Sequence, residues 1–391
     1  IGRCFVALGS WKAQASNGVE LVGYGTNSKS LGGAGAASPR DAGWCLVNPA
    51  GIAVLDRRLD VDMTFFTAHR VLEPRGIAAN WPAEKLVDDM PIGSFDGGII
   101  WPLKHLTLGG GVYSVLGMTA DYSKPRSILP FLYRTNFDRH LNLLGVRIPI
   151  SLAKDLGDGW SVGVSFNTNI QILQTDHLTL KLRKTEGDFH WDWSYGFGFT
   201  LGMLKQWEKW AVGAAYTSPQ WMTRFKGYED FMPRPLNFPQ KVQAGISYHI
   251  TEKLEGMLDY KWINWSGVPQ YGRPVLKHGF GWRDQHVVKA ALSYDLNQRW
   301  QLLAGVSYAP PPITNNQIFV HGLAPVIVST NLCAGFTYRL SDKHEFQGSY
   351  TWYVPASKTE SGRGDIFSKL GKGTRIQASA HNFTLGYTYH F

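Results

Sequence analysis

The sequence predicts an all-β chain: a transmembrane, fourteen-stranded antiparallel β-barrel with an N-terminal plug in its lumen. Three observations lead there. Apolar and small polar residues alternate with period two in fourteen separate stretches, and the connections between them are short and long in turn. No window offers the roughly 18 consecutive apolar residues that a spanning helix needs. A chain of this kind can cross a bilayer only as a closed sheet, the other arrangement that leaves no backbone polar group unpaired in lipid.

The 391 residues suit one large barrel with a small extra domain. Residues 1–16 read as the remnant of an export signal. The apolar run from Cys4 to Gly9 precedes Ala13-Gln14-Ala15, a small-residue cleavage pattern. Residues 17–58 are rich in Gly and Ala and lack sustained alternation, as in Leu31-Gly32-Gly33-Ala34-Gly35-Ala36-Ala37. Such a stretch has too little bulk for a core of its own. A barrel of fourteen strands leaves a lumen that its own side chains cannot fill, so this segment is expected there as a hatch.

Residues 59–391 are assigned to the barrel. The strands are centred near 64, 98, 111, 146, 166, 197, 214, 246, 260, 290, 305, 334, 349 and 386. The last shows the code best: His381, Phe383, Leu385, Tyr387, Tyr389 and Phe391 alternate with Asn382, Thr384, Gly386, Thr388 and His390. Period two sends the two sets to opposite faces, greasy toward lipid and small or polar toward the lumen. Short connections are expected at 102–105, 154–159, 204–209, 251–253, 297–299 and 341–343. Long ones are expected at 71–91, 117–138, 175–190, 226–239, 266–283, 310–325 and 355–379. Short turns face the periplasm and long loops the outside in barrels of this class.

Charge and reactive residues narrow the function. The net charge is +9, but the basic residues are scattered and sit at segment ends, so they read as rim charges rather than as a nucleic-acid surface. A basic rim also suits outer-membrane lipid and lipopolysaccharide. Three cysteines, Cys4, Cys45 and Cys333, give neither a disulfide framework nor a metal site. No P-loop is present. Gly-x-Ser recurs, as in Gly163-Val164-Ser165, but never completes G-x-S-x-G and lies within strand alternation. No cofactor and no catalytic residue is therefore assigned.

At this point a resemblance becomes readable. Gly23-Tyr24-Gly25, the Leu31–Ala37 run, Asp41 and Asn48-Pro49-Ala50-Gly51-Ile52-Ala53 together resemble the hatch of the FadL/TodX family of outer-membrane transporters of long-chain fatty acids and hydrocarbons. The likeness continues in Leu236-Asn237-Phe238-Pro239, in Asn264-Trp265-Ser266 and in the closing strand at Phe391. It implies passive transport of hydrophobic small molecules such as fatty acids, alkanes or aromatic hydrocarbons by a monomer. It also implies lateral exit through a gap where the third strand kinks, with Gly117 near that kink. Glycine tolerates such a break in the ladder. Each CH₂ kept out of water is worth about 0.8 kcal/mol, which favours a path into the bilayer.

The gating candidates are thus Asn48, Pro49, Ala50 and Gly117. The lumen face of the strand near 166 is polar but uncharged, and Asn169 and Gln171 are candidate ligand contacts there. Arg147 is the nearest inward cation. It would either meet a ligand carboxylate or pair with a hatch carboxylate such as Asp41. Apolar loop residues, Ile128, Leu129, Phe131, Leu132 and Tyr133 with Phe231, Met232 and Pro233, are expected to form an exposed patch. The competing reading is a barrel enzyme acting on lipids; a receptor or adhesin would need longer, more polar loops.

Overall fold

The computed structural model describes residues 17–75, 86–88, 91–122, 139–175, 190–229, 232–322 and 324–391. Fourteen long strands form the wall: β1 (Arg58–Glu73), β2 (Pro91–Pro102), β3 (Thr107–Tyr122), β4 (Arg139–Gly157), β5 (Trp160–Thr175), β6 (Asp192–Gln206) and β7 (Trp210–Thr217) come first. They are followed by β8 (Lys241–His249), β9 (Leu254–Ile263), β10 (Gln285–Asp295), β11 (Trp300–Tyr308), β12 (Thr330–Arg339), β13 (His344–Thr359) and β14 (Arg375–His390). Every neighbouring pair is antiparallel. The ring closes where β14 runs along β1 from Arg58↔His390 to Glu73↔Arg375. Two short strands, Leu86–Asp88 on β1 and Trp221–Met222 on β6, lie off this path.

The two faces follow the alternation. On β14, Phe383 and Leu385 are exposed while Asn382 and Thr384 are buried. On β6, Trp193, Tyr195 and Phe197 point out while Ser194 and Thr200 point in. Outward aromatics lie toward both rims, Trp193 and Tyr308 at the long-loop end among them; at the short-turn rim Trp210 packs against Tyr248 and Trp300 against Tyr338. At the same short-turn rim Arg57 lies over the rings of Trp101 and Phe391, and the Phe391 N–H donates to the Arg57 carbonyl. Amphipathic rings suit the boundary between lipid and water.

Several boundaries differ from the expected ones. β3 continues past Gly117 to Tyr122. β13 and β14 pair as far as Thr359↔Arg375, beyond Pro355. Proline lacks the N–H a regular ladder demands, and a register shift between Tyr353 and Ala356 absorbs it.

Residues 17–57 precede β1, and nearly all of the residues from 17 to 52 are buried within the ring. They form helices α1 (Gly25–Ser30) and α2 (Trp44–Val47) and a 3₁₀ turn at Pro49–Val54. The lumen wall carries glycine where this head segment comes closest. A Cβ at Gly213 would lie 2.1 Å from the Ala36 carbonyl oxygen, and one at Gly305 would lie 2.2 Å from the Leu31 carbonyl carbon. Gly213→Val should therefore lower the fraction of protein that assembles. The check is the share of purified material that keeps its compact, heat-modifiable form in SDS without boiling.

Candidate functional site

The head segment is fastened to the wall mainly by polar contacts. Pro49 opens the 3₁₀ turn, where a missing N–H costs nothing, and Asn48 caps it by accepting from the Ala50 N–H at 3.2 Å. The same side chain donates to the Ala36 carbonyl at 2.8 Å and to the Met203 carbonyl of β6 at 3.0 Å. Asn48, Pro49 and Ala50 thus form one clamp that joins two parts of the head to the wall. Trp44 donates to the Gly35 carbonyl at 2.8 Å, and Asp259 of β9 accepts the Ala36 N–H at 2.9 Å.

Four buried carboxylates gather where β1 and β2 meet the head: Asp41, Asp60, Asp62 and Asp96. Asp60 accepts from the Ala42 N–H at 2.8 Å, and Asp62 from both the N–H and hydroxyl of Thr26. Lys29 of α1 pairs with Asp96 at 3.2 Å. Burial, then Asp60 and Asp62, push the Asp41 carboxyl of the head up to about 8. Farther along, Glu20 receives Lys241, Tyr24 and, at 2.9 Å, Lys261. Burial works to raise this carboxyl, but the two lysines outweigh it and hold it well below the usual carboxylate range.

The wall departs from a complete ladder beside this head. β2 and β3 pair from Pro102↔Thr107 to Gly97↔Val112, and among the described residues no pair follows. β2 nevertheless continues to pair with β1 up to Thr67↔Pro91. β3 bulges between Ser114 and Leu116 in its register with β4. Beyond the bulge β3 stays paired with β4, while on its other edge it meets the head: Leu21 donates to the Val115 carbonyl and Gly117 donates to the Val19 carbonyl, both at 3.3 Å. The β2–β3 backbone ladder is therefore interrupted above Gly97↔Val112, and residues 19–21 back the interruption from inside. Gly117 sits at this crossing, within β3. The exposed apolar side chains of Phe95 and Val112 flank this end of the ladder on the outer face.

Toward the long-loop rim the lumen is apolar. The segment after β7 folds inward and buries Phe225, Tyr228, Met232, Leu236 and Phe238. Trp265 and Trp282 join the same core, with rings 5.1 Å apart. Met232 is thus a core residue rather than part of an exposed patch, because its loop turns into the lumen, and Pro233 is half-buried. Ile128, Leu129, Phe131, Leu132, Tyr133 and Phe231 lie outside the described residues, as do residues 1–16.

Arg147 stands at the base of this apolar region, 2% exposed. Its Nε donates to Asn169 at 2.7 Å, and its guanidinium lies 5.1 Å from the Phe238 ring centre. It forms no ion pair with a carboxylate among the described residues. Asp41 instead accepts from the Gly43 N–H, beside Asp60 and Asp62. Asn169 also donates to Gln220, and Gln171 donates to the Leu236 carbonyl at 3.0 Å. Both of these side chains are therefore engaged with the inward-folded loop.

A profile of outer-membrane transport proteins, OMPP1/FadL/TodX, matches residues 6–391. The chain belongs to this family. No curated protein sequence matches it. The barrel is similar to solved structures, at identities that speak to the fold alone. The Pseudomonas putida toluene transporter TodX aligns over 95% of this chain and 99% of its own, with 15% identity and a TM-score of 0.72. The Ralstonia pickettii toluene transporter TbuX gives 95% and 99%, 16% and 0.68. A Pseudomonas aeruginosa FadL homologue gives 96% and 100%, 13% and 0.68. Membership in OMPP1/FadL/TodX makes the chain an outer-membrane transport protein of bacterial type. Lys29, Asp96 and Glu20 belong to no sequence motif; each is only a charge set in glycine-rich or strand-interior surroundings.

The raised Asp41 value has a pH consequence. A carboxyl favoured as the neutral acid in the fold lowers stability progressively as pH rises from its ordinary value of about 4 through about 8. Rate-corrected hydrogen exchange across residues 41–47 should accelerate over this window, and Asp41→Asn should flatten the rise.

Proposed function

We propose that this member of the OMPP1/FadL/TodX family is a passive channel for hydrophobic small molecules, which leave the lumen sideways through the gap between β2 and β3. The observation that carries this reading is the loss of β2–β3 pairing above Gly97↔Val112, beside an apolar upper lumen. The head acts as the hatch, with Asn48, Pro49 and Ala50 as its clamp and Gly117 as the point where it meets β3. The alternative route beneath the head is unattractive for a greasy solute. It opens on a cavity of about 570 Å³ lined by Arg40, Arg58, Arg299, Arg339 and Glu345. Moving each CH₂ through such polar surroundings forfeits about 0.8 kcal/mol.

Arg147 refines the substrate class. Among the described residues this buried guanidinium makes no salt bridge, with Glu20 acting on it only at longer range; a buried charge left without a direct ion pair is costly, and a guest carboxylate would satisfy it in paired geometry. We infer that molecules with an acidic head and a long apolar tail, fatty acids above all, are preferred over alkanes and aromatic hydrocarbons. The relatives named as toluene transporters support the wider hydrophobic class.

The test is uptake of labelled fatty acid, alkane and alkylbenzene by cells lacking the protein and complemented with variants. Wild type should restore uptake, whereas Gly117→Trp should assemble yet restore little. Arg147→Met should cut fatty-acid uptake at low concentration at least about tenfold, the effect of 1.4 kcal/mol, and spare the hydrocarbons. Normal transport by Gly117→Trp would sink lateral exit; equal losses for all three compounds in Arg147→Met would remove the acid preference.

A further inference from the structure

The lower margin of the gap is not a frayed end. Asp96 sits on β2 one residue above the last β2–β3 pair, Gly97↔Val112. Its Oδ1 accepts from the Ser114 N–H of β3 at 2.7 Å, where a wall carbonyl would otherwise serve. Ser114 is the last residue of β3 before the bulge. The other oxygen, Oδ2, takes Lys29 Nζ at 3.2 Å, and the two side chains are 1% and 4% exposed. Lys29 also donates to Thr64 of β1 at 2.8 Å. Its helix, α1, is held at its first turn by Asp62, which stands opposite Asp96 in the β1–β2 register. One carboxylate therefore joins three bodies: β2, the departing β3 and the head.

We propose that Asp96 is a positioning residue that couples the head to the width of the lateral gap. The inference rests on the sideways-exit reading. While α1 keeps Lys29 against it, the buried Asp96 charge is paired, and the carboxylate stays on the Ser114 N–H. β3 then leaves the wall at Ser114 and no lower. If the head shifts and withdraws Lys29, an unpaired carboxylate cannot remain in a dry site. It turns toward water, releases Ser114 and lets β3 peel from β2 past Val112. Head movement thereby extends the opening downward within the lipid-facing wall.

The coupling is read by spin-label distances between Phe95→Cys and Val112→Cys, whose outward side chains flank the margin. The protein is held in lipid nanodiscs, with its native cysteines replaced by alanine. Lys29→Met strands the charge and should lengthen and broaden the separation by at least one strand spacing, about 4.8 Å. Adding Asp96→Asn to Lys29→Met should restore the wild-type distance, because a neutral amide oxygen accepts from Ser114 without needing a cation. A general packing defect would instead make the double variant worse, and that result, or no change in Lys29→Met, would overturn the proposal. Should Lys29→Met fail to assemble, Lys29→Met/Asp96→Ala is compared with Lys29→Met/Asp96→Asn. Both are neutral, and only the alanine variant should widen the gap; equal distances would overturn the proposal. Because this measurement reads the wall and not transport, it can fail while Gly117→Trp still blocks uptake, or succeed while that variant transports normally.

Discussion

A sheet that spans a bilayer has to pair every backbone N–H and carbonyl, because lipid offers no substitute partner. Closure of β14 on β1 removes the edges that an open sheet would carry. The stretch between β2 and β3 is where that rule is relaxed, and the surrounding structure compensates for it. Residues 19–21 supply hydrogen bonds from inside, the bulge at Val115 turns β3 inward, and Asp96 takes the first N–H released from the ladder. Among the described residues, this break in the wall has the head standing behind it.

The second constraint is width. A ring of fourteen strands encloses more space than inward side chains can fill, and the head occupies it with a polar joint. Hydrophobic packing is not directional, but hydrogen bonds are. The Asn48 clamp and the Asp259 and Asp62 contacts therefore fix the orientation of the head as well as its place. Small lumen-facing residues let two backbones come together, and inward glycines such as Gly213 and Gly305 fall where a side chain would collide with the head.

The barrel was legible in the sequence because each strand writes its two faces in alternation, a signal local to about ten residues. All fourteen expected centres fall within the observed strands. What lay beyond that signal was pairing across distance. Lys29 and Asp96 are 67 positions apart, and Glu20 and Lys241 are 221 apart; alternation assigns a face to each residue but no partner. The same limit explains Arg147, which faces inward as expected yet meets Asn169 and Phe238 rather than Asp41. Met232 departs from its expected exposure for a different reason. An apolar loop residue has the same composition whether it rests on a membrane surface or dives into a lumen.

The fit between the head and the glycine-lined wall also bears on how such a molecule is put together. The head precedes β1 in the chain, yet its contacts run on to the last strands, β12, β13 and β14. The final seam joins the first strand to the last. Once that seam has zipped, a bulky segment left outside has no route in except through the rims. Seating the head and closing the ring are thus geometrically linked, because the last strands to join the wall are also strands that the head touches.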